Sequence, residues 1–227
     1  MGLLPCAGRG LRSGLPFPKE LFPVDSVPVI RYSFNAMKDA KASRFFVILG
    51  KDKELIMRYM GNGESDGVKI AYLFQKEPNG LAKSILEAEP FIEKNDRLLM
   101  GMPDTVIRGQ FSFGSLLDQL QKNEASVSLA LFKVGDPQNY GVVEVDARNE
   151  DIISIEDKPE EPKSSWIWGA VAFTADFFDE ARRVGLRRGE YQLTDAFSVA
   201  REAGLKVMAV RFSKATYMDV GTKRLIV

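Results

Sequence analysis

Short apolar runs alternate with amphipathic stretches along most of this 227-residue chain, and this alternation restricts the possible folds more than any other feature. Segments 2–6, 44–50 and 68–74 have the length and composition of buried strands, whereas 27–43 and 113–123 carry apolar residues at helical spacing. Strand, helix and strand repeated in this order predict a mostly parallel sheet with helices on both faces. We therefore expect an α/β three-layer sandwich with a Rossmann-like central sheet.

The pattern changes after residue 134. Residues 140–159 alternate apolar and polar side chains around the turn-like segment DARNED, which predicts a small antiparallel hairpin. Proline and charged residues dominate 158–165, so this segment should be an exposed loop. No repeat, low-complexity tract or long linker divides the sequence, and we predict a single domain over 1–227.

Charge and residue usage exclude several classes of function. The 31 Lys and Arg residues balance the 31 Asp and Glu residues, so no net field favours nucleic acid or an anionic membrane. The chain has no histidine, which excludes Ser-His and Cys-His nucleophile systems and most zinc sites. The one cysteine, Cys6, cannot form an intramolecular disulfide, and no signal peptide or long apolar span is recognisable, so we expect a cytoplasmic protein.

The segment CAGRGLRSGLPFPKELFPV, residues 6–24, concentrates glycine and positive charge directly after the first apolar run. Gly8 and Gly10 allow the backbone to approach a polyphosphate closely, and amides exposed in such a turn bind anions. Arg12 offers a bidentate phosphate partner and Lys19 a compact charge. The segment matches neither the dinucleotide nor the Walker pattern, so its residues leave two interpretations open: a phosphate-binding loop, or a surface loop with solvated cations.

The order GRGLR (8–12) followed by PKELFPV (18–24) resembles the signature loop of the sugar-1-phosphate nucleotidylyltransferases. Further segments resemble that family in the family's own order: QKEPNGLAKSI (75–85), GMPDT (101–105), NYGVVEVD (139–146), IEDKPEEPKS (155–164), RGEYQLTD (188–195) and YMDVGT (217–222). Within the family, these motifs resemble most closely those of the glucose-1-phosphate thymidylyltransferases and the UTP-glucose-1-phosphate uridylyltransferases. Three departures are Leu11, where the family usually has threonine, the segment from Arg12 to Pro18, which is usually a little longer, and Asp157, where the family usually has glutamate.

The resemblance implies a nucleotide-diphospho-sugar transferase fold and a reaction. A nucleoside monophosphate passes from an NTP, dTTP or UTP, to a hexose 1-phosphate such as glucose 1-phosphate, and pyrophosphate leaves. It also implies Mg²⁺ as the cofactor, an NTP-binding half over about 1–134 and a sugar-phosphate-binding half over about 135–227. The residues that it implies are catalytic Arg12, Lys19 and Asp104; nucleotide-binding Ala7, Gly8, Gly10, Gln75, Pro78 and Gly80; sugar-phosphate-binding Tyr140, Gly141, Asp157 and Lys158; and metal-binding Asp104 and Asp219.

Such a reaction suits a chain without histidine. A phosphate monoester has a second pKa near 6, so the attacking oxygen is already ionised at neutral pH and needs alignment and charge neutralisation instead of a general base. Without the resemblance, Asp104 and Asp219 would be interpreted as turn or cap acids and Lys158 as a solvated charge.

Two alternatives remain at this stage: a cytidylyltransferase acting on a non-sugar phosphate such as phosphocholine, and a non-catalytic sensor of nucleotides or NDP-sugars. The expected partners are an NTP and a sugar 1-phosphate. We expect no nucleic acid and no membrane among the partners, and a homo-oligomer stays open.

Overall fold

The computed structural model describes residues 1–8, 14–146, 151–186 and 189–220. Its strands are β1 (Gly2–Cys6), β2 (Pro23–Val24), β3 (Val27–Pro28), β4 (Arg44–Leu49), β5 (Lys69–Phe74), β6 (Arg97–Gly101), β7 (Thr105–Gly109), β8 (Val127–Lys133), β9 (Gly141–Val145), β10 (Ile152–Asp157), β11 (Trp166–Thr174), β12 (Val207–Arg211) and β13 (Ala215–Asp219). Its α-helices are α1 (Ile30–Asp39), α2 (Glu54–Met60), α3 (Leu81–Leu86), α4 (Phe113–Asn123), α5 (Phe177–Arg183) and α6 (Leu193–Glu202). Short 3-10 helices are Lys19–Leu21, Glu64–Asp66, Glu89–Phe91 and Pro137–Asn139.

The central sheet contains nine strands within the described ranges. Its order is β10-β9-β11-β6-β1-β4-β5, with β8 on the other side of β11 and β12 beyond β8. Strand β11 is antiparallel to β6, β8 and β9, and β10 is antiparallel to β9. Only β11 and β10 therefore oppose the other seven strands, which confirms the predicted mostly parallel sheet, and β9 with β10 confirms the predicted hairpin.

Alternating side chains along the strands produce the two apolar faces of the sheet. In β1, Leu3 and Leu4 are both fully buried but belong to different core clusters. Helices α3, α5 and α6 cover the cluster that contains Leu3, and helices α1, α2 and α4 cover the cluster that contains Leu4. The three-layer arrangement predicted from the sequence is therefore confirmed.

Proline explains two of the boundaries that differ from the sequence-based expectation. The predicted helix over 27–43 begins only at Ile30, because Val27 and Pro28 pair with Val24 and Pro23 in a small ladder. The segment LAKSILEAEPFI (81–92) is also predicted to be a helix, but the α-helix ends at Leu86 and is followed by a 3-10 helix that contains Pro90. A proline inside an α-helix removes a hydrogen bond and clashes with the preceding turn.

Strand β7 was not predicted from the sequence. It pairs with β13, more than a hundred residues later, in a two-stranded antiparallel ribbon outside the central sheet. Its sequence TVIRG lacks the apolar content of a core strand, and only its first two residues are buried. In the described part of the chain, no helix has both the length and the apolar character needed to cross a membrane.

The strand order also determines where a ligand can bind. Strands β5, β4, β1 and β6 are parallel neighbours, so their carboxyl ends lie at one edge of the sheet. The chain passes from β1 outward to β4 and β5, and β6 then returns on the other side of β1. Such a reversal of strand order opens a crevice beyond the carboxyl ends of the strands, which is where ligands bind in open α/β sheets.

Candidate active site

Lys19 and Asp104 form an ion pair at this edge of the sheet. Lys19 begins the 3-10 helix Lys19–Leu21, and Asp104 follows β6. The Lys19 Nζ donates a hydrogen bond to the Asp104 carboxylate, and the two side chains are 22% and 11% exposed. Burial acts to lower the pKa of Lys19, but the hydrogen-bonded Asp104 carboxylate, together with Glu20 and Asp219, more than offsets burial, and the pKa is raised. Lys19 therefore keeps its positive charge at neutral pH.

Asp219 reaches the same corner from the other end of the chain. In the β7–β13 ribbon, Asp219 is paired with Thr105, and the Val220 amide donates a hydrogen bond to the Asp104 carbonyl oxygen at 2.9 Å. Asp219 also favours the charged form of Lys19 electrostatically. The structure thus brings together Lys19, Asp104 and Asp219, which are separated by up to 200 residues in the sequence.

Tyr217 is a residue of this corner that the sequence analysis did not single out. The Thr105 hydroxyl donates a hydrogen bond to the Tyr217 hydroxyl oxygen at 3.3 Å. Burial, reinforced by Asp219 and Asp104, raises the pKa of Tyr217 well above its ordinary value, so the phenol stays neutral. A signal was available: Tyr217 precedes Asp219 by two positions, and residues i and i+2 of a strand share a face.

The predicted nucleotide-binding residues Gln75, Pro78 and Gly80 lie together in the loop between β5 and α3. Gln75 is only 3% exposed, and its side-chain amide donates to the side-chain oxygen Oδ1 of Asn79 at 3.4 Å. Gly80 has φ +120°, and a Cβ there would lie 2.4 Å from the Tyr191 carbonyl oxygen. Only glycine fits this position, and the loop packs on the 189–192 segment.

The start of the glycine-rich segment is described only in part. Ala7 and Gly8 directly follow β1. Ala7 is buried, and its backbone lies against Gly50, where a Cβ would come within 2.5 Å of the Ala7 carbonyl oxygen. A Cβ on Gly8 would meet none of the described residues within 4 Å. Gly10 and Arg12 lie outside the described residues.

The predicted sugar-phosphate-binding residues lie at one end of the β9–β10 hairpin. Asp157 is paired with Gly141 in the ladder, and the Lys158 amide donates to the Tyr140 carbonyl oxygen at 2.9 Å. The rings of Tyr140 and Tyr217 are in perpendicular contact, with centroids 5.8 Å apart. That contact connects this end of the hairpin to the corner that holds Asp104 and Asp219.

Hydrogen bonds behind Asp157 orient its carboxylate. The Trp168 Nε1 donates to the Thr194 hydroxyl oxygen at 3.0 Å, and the Thr194 hydroxyl donates to Asp157 Oδ1 at 3.4 Å. A Cβ on Gly141 would lie 2.2 Å from Trp168 Nε1 and 2.6 Å from the Thr194 hydroxyl oxygen. Glycine at 141 is therefore required for this chain of hydrogen bonds. Thr194 and Trp168 were not among the predicted site residues.

The corner formed by Asp104 and Asp219 fits a magnesium ion that is also bound by substrate and water, and not one held by protein ligands alone. In the described ranges, no cluster of three or more His, Cys, Asp or Glu is arranged to hold a metal. Mg²⁺, however, prefers oxygen ligands and is commonly bound by one or two carboxylates together with substrate phosphates and water. Asp104 and Asp219 could supply two such carboxylates, and the ion pair with the Lys19 ammonium shows that Asp104 is placed to interact with a cation.

Comparison with known proteins agrees with this geometry. The profile of the Nucleotidyl transferase family matches residues 15–226. The chain belongs to this family. A glucose-1-phosphate thymidylyltransferase of Neisseria gonorrhoeae is 30% identical over 213 residues, which are 90% of this chain and 71% of that relative. The UTP–glucose-1-phosphate uridylyltransferase AglF of Haloferax volcanii is 28% identical over 90% of this chain and 83% of that relative.

A solved structure also resembles this chain over almost its whole length. A candidate glucose-1-phosphate thymidylyltransferase of Bacillus anthracis, solved in complex with sucrose, superposes with a TM-score of 0.86. The match covers 97% of this chain and 89% of that chain at 26% identity. The predicted family and fold are therefore confirmed.

Proposed function

We propose that this protein is a sugar-1-phosphate nucleotidylyltransferase that uses dTTP or UTP and a hexose 1-phosphate, with glucose 1-phosphate as the first acceptor to test. The products are an NDP-sugar and pyrophosphate. The observation that carries the proposal is the convergence of Lys19, Asp104 and Asp219 at the carboxyl edge of the sheet. Relatives named for thymidylyl and uridylyl transfer to glucose 1-phosphate support the choice of substrates.

In the proposed reaction, an oxygen of the sugar phosphate attacks the α-phosphorus of the nucleotide. A new P–O bond forms, the bond between the α-phosphorus and the bridging oxygen breaks, and pyrophosphate leaves with the electron pair. Two polyanions must approach each other, so fixed positive charge is the main requirement. Lys19 is proposed to lie between the attacking and the attacked phosphates, and Arg12 to stabilise the leaving pyrophosphate.

Asp104 and Asp219 are proposed to hold Mg²⁺, which when bound neutralises charge on the phosphates. With a cation held by Asp104 and Asp219, Lys19 would be released from its ion pair with Asp104 and would be able to contact phosphate oxygens. Lys19 is suited to this exchange since its ammonium sits on a flexible stem at a partly exposed position.

The other predicted residues divide between the two substrates. The backbone amides at Ala7, Gly8 and Gly10 are proposed to contact the triphosphate, and the loop of Gln75, Pro78 and Gly80 the base. On the opposite side, Lys158 is proposed to hold the sugar phosphate, while Tyr140, Gly141 and Asp157 line the sugar pocket. We further propose that both halves, about 1–134 and 135–227, form one domain.

Pyrophosphate release tests the proposal. The wild-type chain is assayed with five nucleoside triphosphates against glucose 1-phosphate, other hexose 1-phosphates and phosphocholine, each with Mg²⁺ and with EDTA. We expect turnover with dTTP or UTP and a hexose 1-phosphate, dependent on Mg²⁺. Turnover of CTP with phosphocholine would assign the cytidylyltransferase activity instead, and NTP binding without pyrophosphate release would indicate a sensor.

A further inference from the structure

A second ion pair, more deeply buried than the pair of Lys19 and Asp104, lies next to it. Glu20, the neighbour of Lys19 in the chain, accepts hydrogen bonds from the Lys53 ammonium on both carboxylate oxygens, at 2.9 and 2.8 Å. The Glu20 and Lys53 side chains are only 1% and 5% exposed, whereas the Lys19–Asp104 pair is partly open to solvent. Lys53 stands immediately before α2, in the loop that follows β4.

The two ion pairs hold the 3-10 helix from opposite sides. A 3-10 helix has three residues per turn, so consecutive side chains point about 120° apart. Lys19 accordingly reaches Asp104 after β6, and Glu20 reaches Lys53 after β4. Strands β6 and β4 are the two neighbours of β1 in the sheet, so the two pairs flank the strand from which the glycine-rich segment starts. Both pairs also act electrostatically on the buried Cys6 thiol at the end of β1.

Stability alone is a weak reason for such a pair. Removing two charges from water is costly, and replacing a buried ion pair by apolar residues of similar volume is often neutral or stabilising. Burial raises the pKa of Glu20, and the Lys53 ammonium opposes that rise. What the pair does provide is direction: two hydrogen bonds to one carboxylate fix the orientation of the helix that carries Lys19.

We propose that the Glu20–Lys53 pair positions Lys19 for catalysis, with Glu20 as a positioning residue that does not touch the substrates. The inference rests on the proposed function for its kinetic effect, but not for its structural effect. Lys19 must leave Asp104 and reach phosphate oxygens without losing its place in the cleft. A turn fixed at the adjacent residue lets the side chain move while its backbone stays in place.

The first test is Glu20→Gln, which keeps the shape of the side chain and removes its charge. We expect kcat to fall between about 10-fold and 100-fold, as small displacements of a catalytic group do, while the KM for the nucleotide stays within about threefold. The same substitution in a Lys19→Met background should have no further effect on kcat, because its influence passes through Lys19. Equal losses in both backgrounds would overturn the proposal.

A matched control is available elsewhere in the fold. Glu180 on α5 is also buried, and both of its carboxylate oxygens accept hydrogen bonds from Arg183 at 2.9 Å. Glu180→Gln should leave kcat unchanged. If Glu20→Gln proves too unstable to assay, the apolar pair Glu20→Leu with Lys53→Met replaces it. A thermally stable apolar pair with wild-type kcat would overturn the proposal, and a stable pair with reduced kcat would support it.

A readout without turnover separates this inference from the proposed function. Brief acylation with acetic anhydride, followed by mass spectrometry, reports how well each lysine amine is protected in the folded protein. In Glu20→Gln, labelling of Lys19 should rise at least about threefold, since its ion pair with Asp104 loosens, while labelling of the exposed Lys122 stays constant. Unchanged labelling of Lys19 would overturn the positioning role even if the wild-type protein turns over substrate.

Discussion

Asp104 and Asp157 are both nearly buried carboxylates at the candidate site, but their surroundings differ. Asp104 is 8% exposed and accepts a hydrogen bond from the Lys19 ammonium. Asp157 is 4% exposed and accepts a hydrogen bond on Oδ1 from the Thr194 hydroxyl, while its Oδ2 has no partner in the part of the chain that the structure describes. The charge of Asp104 is therefore balanced by an ammonium group, whereas Asp157 accepts a hydrogen bond from a neutral hydroxyl group.

The difference indicates what each acid is prepared to bind. An acid already matched by a cation can exchange that cation for another, which suits a corner for phosphates and a metal. A buried oxygen without a donor costs about 1–3 kcal/mol, and a neutral donor on a ligand, such as a sugar hydroxyl, removes that cost. In the proposed function, the phosphate side and the sugar side of the cleft would therefore use carboxylates in two chemically different ways.

The largest effect is expected at Asp219, the second carboxylate of the corner that holds Asp104. Asp219→Asn keeps the shape of the side chain but removes one of two carboxylates, so we expect Mg²⁺-dependent pyrophosphate release to fall about 10³-fold. Unchanged circular dichroism and melting temperature would show that the fold is intact. The exposed Asp118→Asn serves as the control. Normal turnover in Asp219→Asn would remove Asp219 from the site.

Removal of the positive charge of Lys19, the partner of Asp104, should have the next largest effect. Lys19→Met removes the charge proposed to lie between the phosphates, and we expect kcat/KM to fall about 100-fold. Lys19→Arg should recover only part of this loss, because a planar guanidinium does not replace a compact ammonium. If Lys19→Met changed only the KM for the sugar phosphate, Asp104 and Lys19 would belong to the sugar side, and the contrast with Asp157 would fail.

A smaller and more selective effect is expected at Asp157. Asp157→Asn leaves a side-chain oxygen but no charge, so a hydrogen bond from a sugar hydroxyl weakens. We expect the KM for the sugar 1-phosphate to rise about tenfold, with little change in kcat or in the KM for the nucleotide. Steady-state kinetics with each substrate varied in turn measures this. A loss of kcat equal to that in Lys19→Met would show that Asp157 and Asp104 act in the same step of the reaction.

The sequence predicted the layered sheet and most of its strands better than it predicted the contacts of the site. Parallel strands with buried side chains are visible as apolar runs, so Asp104 could be placed after a strand from its neighbours alone. The ribbon of β7 and β13 could not be predicted, because its stability depends on pairing between segments about a hundred residues apart. That pairing is what brings Asp219 next to Asp104.

Buried polar residues were the least predictable part. Glu20 stands in the quoted PKELFPV segment, and its spacing gives no sign that it is buried or that Lys53 is its partner. Thr194 and Trp168 join Asp157 only because Gly141 leaves room for them. Local sequence carries the periodicity that decides burial for apolar residues. A polar residue is buried only if a distant partner satisfies it, and that partner is known only from the fold.

The smallest effect is expected from Gly80→Ala, which tests whether the base loop belongs to the same cleft. Alanine at φ +120° is strained, and its Cβ would lie 2.4 Å from the Tyr191 carbonyl oxygen, so the loop must shift. We expect the unfolding free energy to fall by about 1–3 kcal/mol and the KM for the nucleotide to rise about threefold, with the KM for the sugar phosphate unchanged. Gly204→Ala is the control, since Gly204 also has positive φ but open space around it. Backbone strain would lower the stability of both variants. An increase in the nucleotide KM confined to Gly80→Ala would therefore show that the position of this loop, and not stability in general, determines how tightly the base is held.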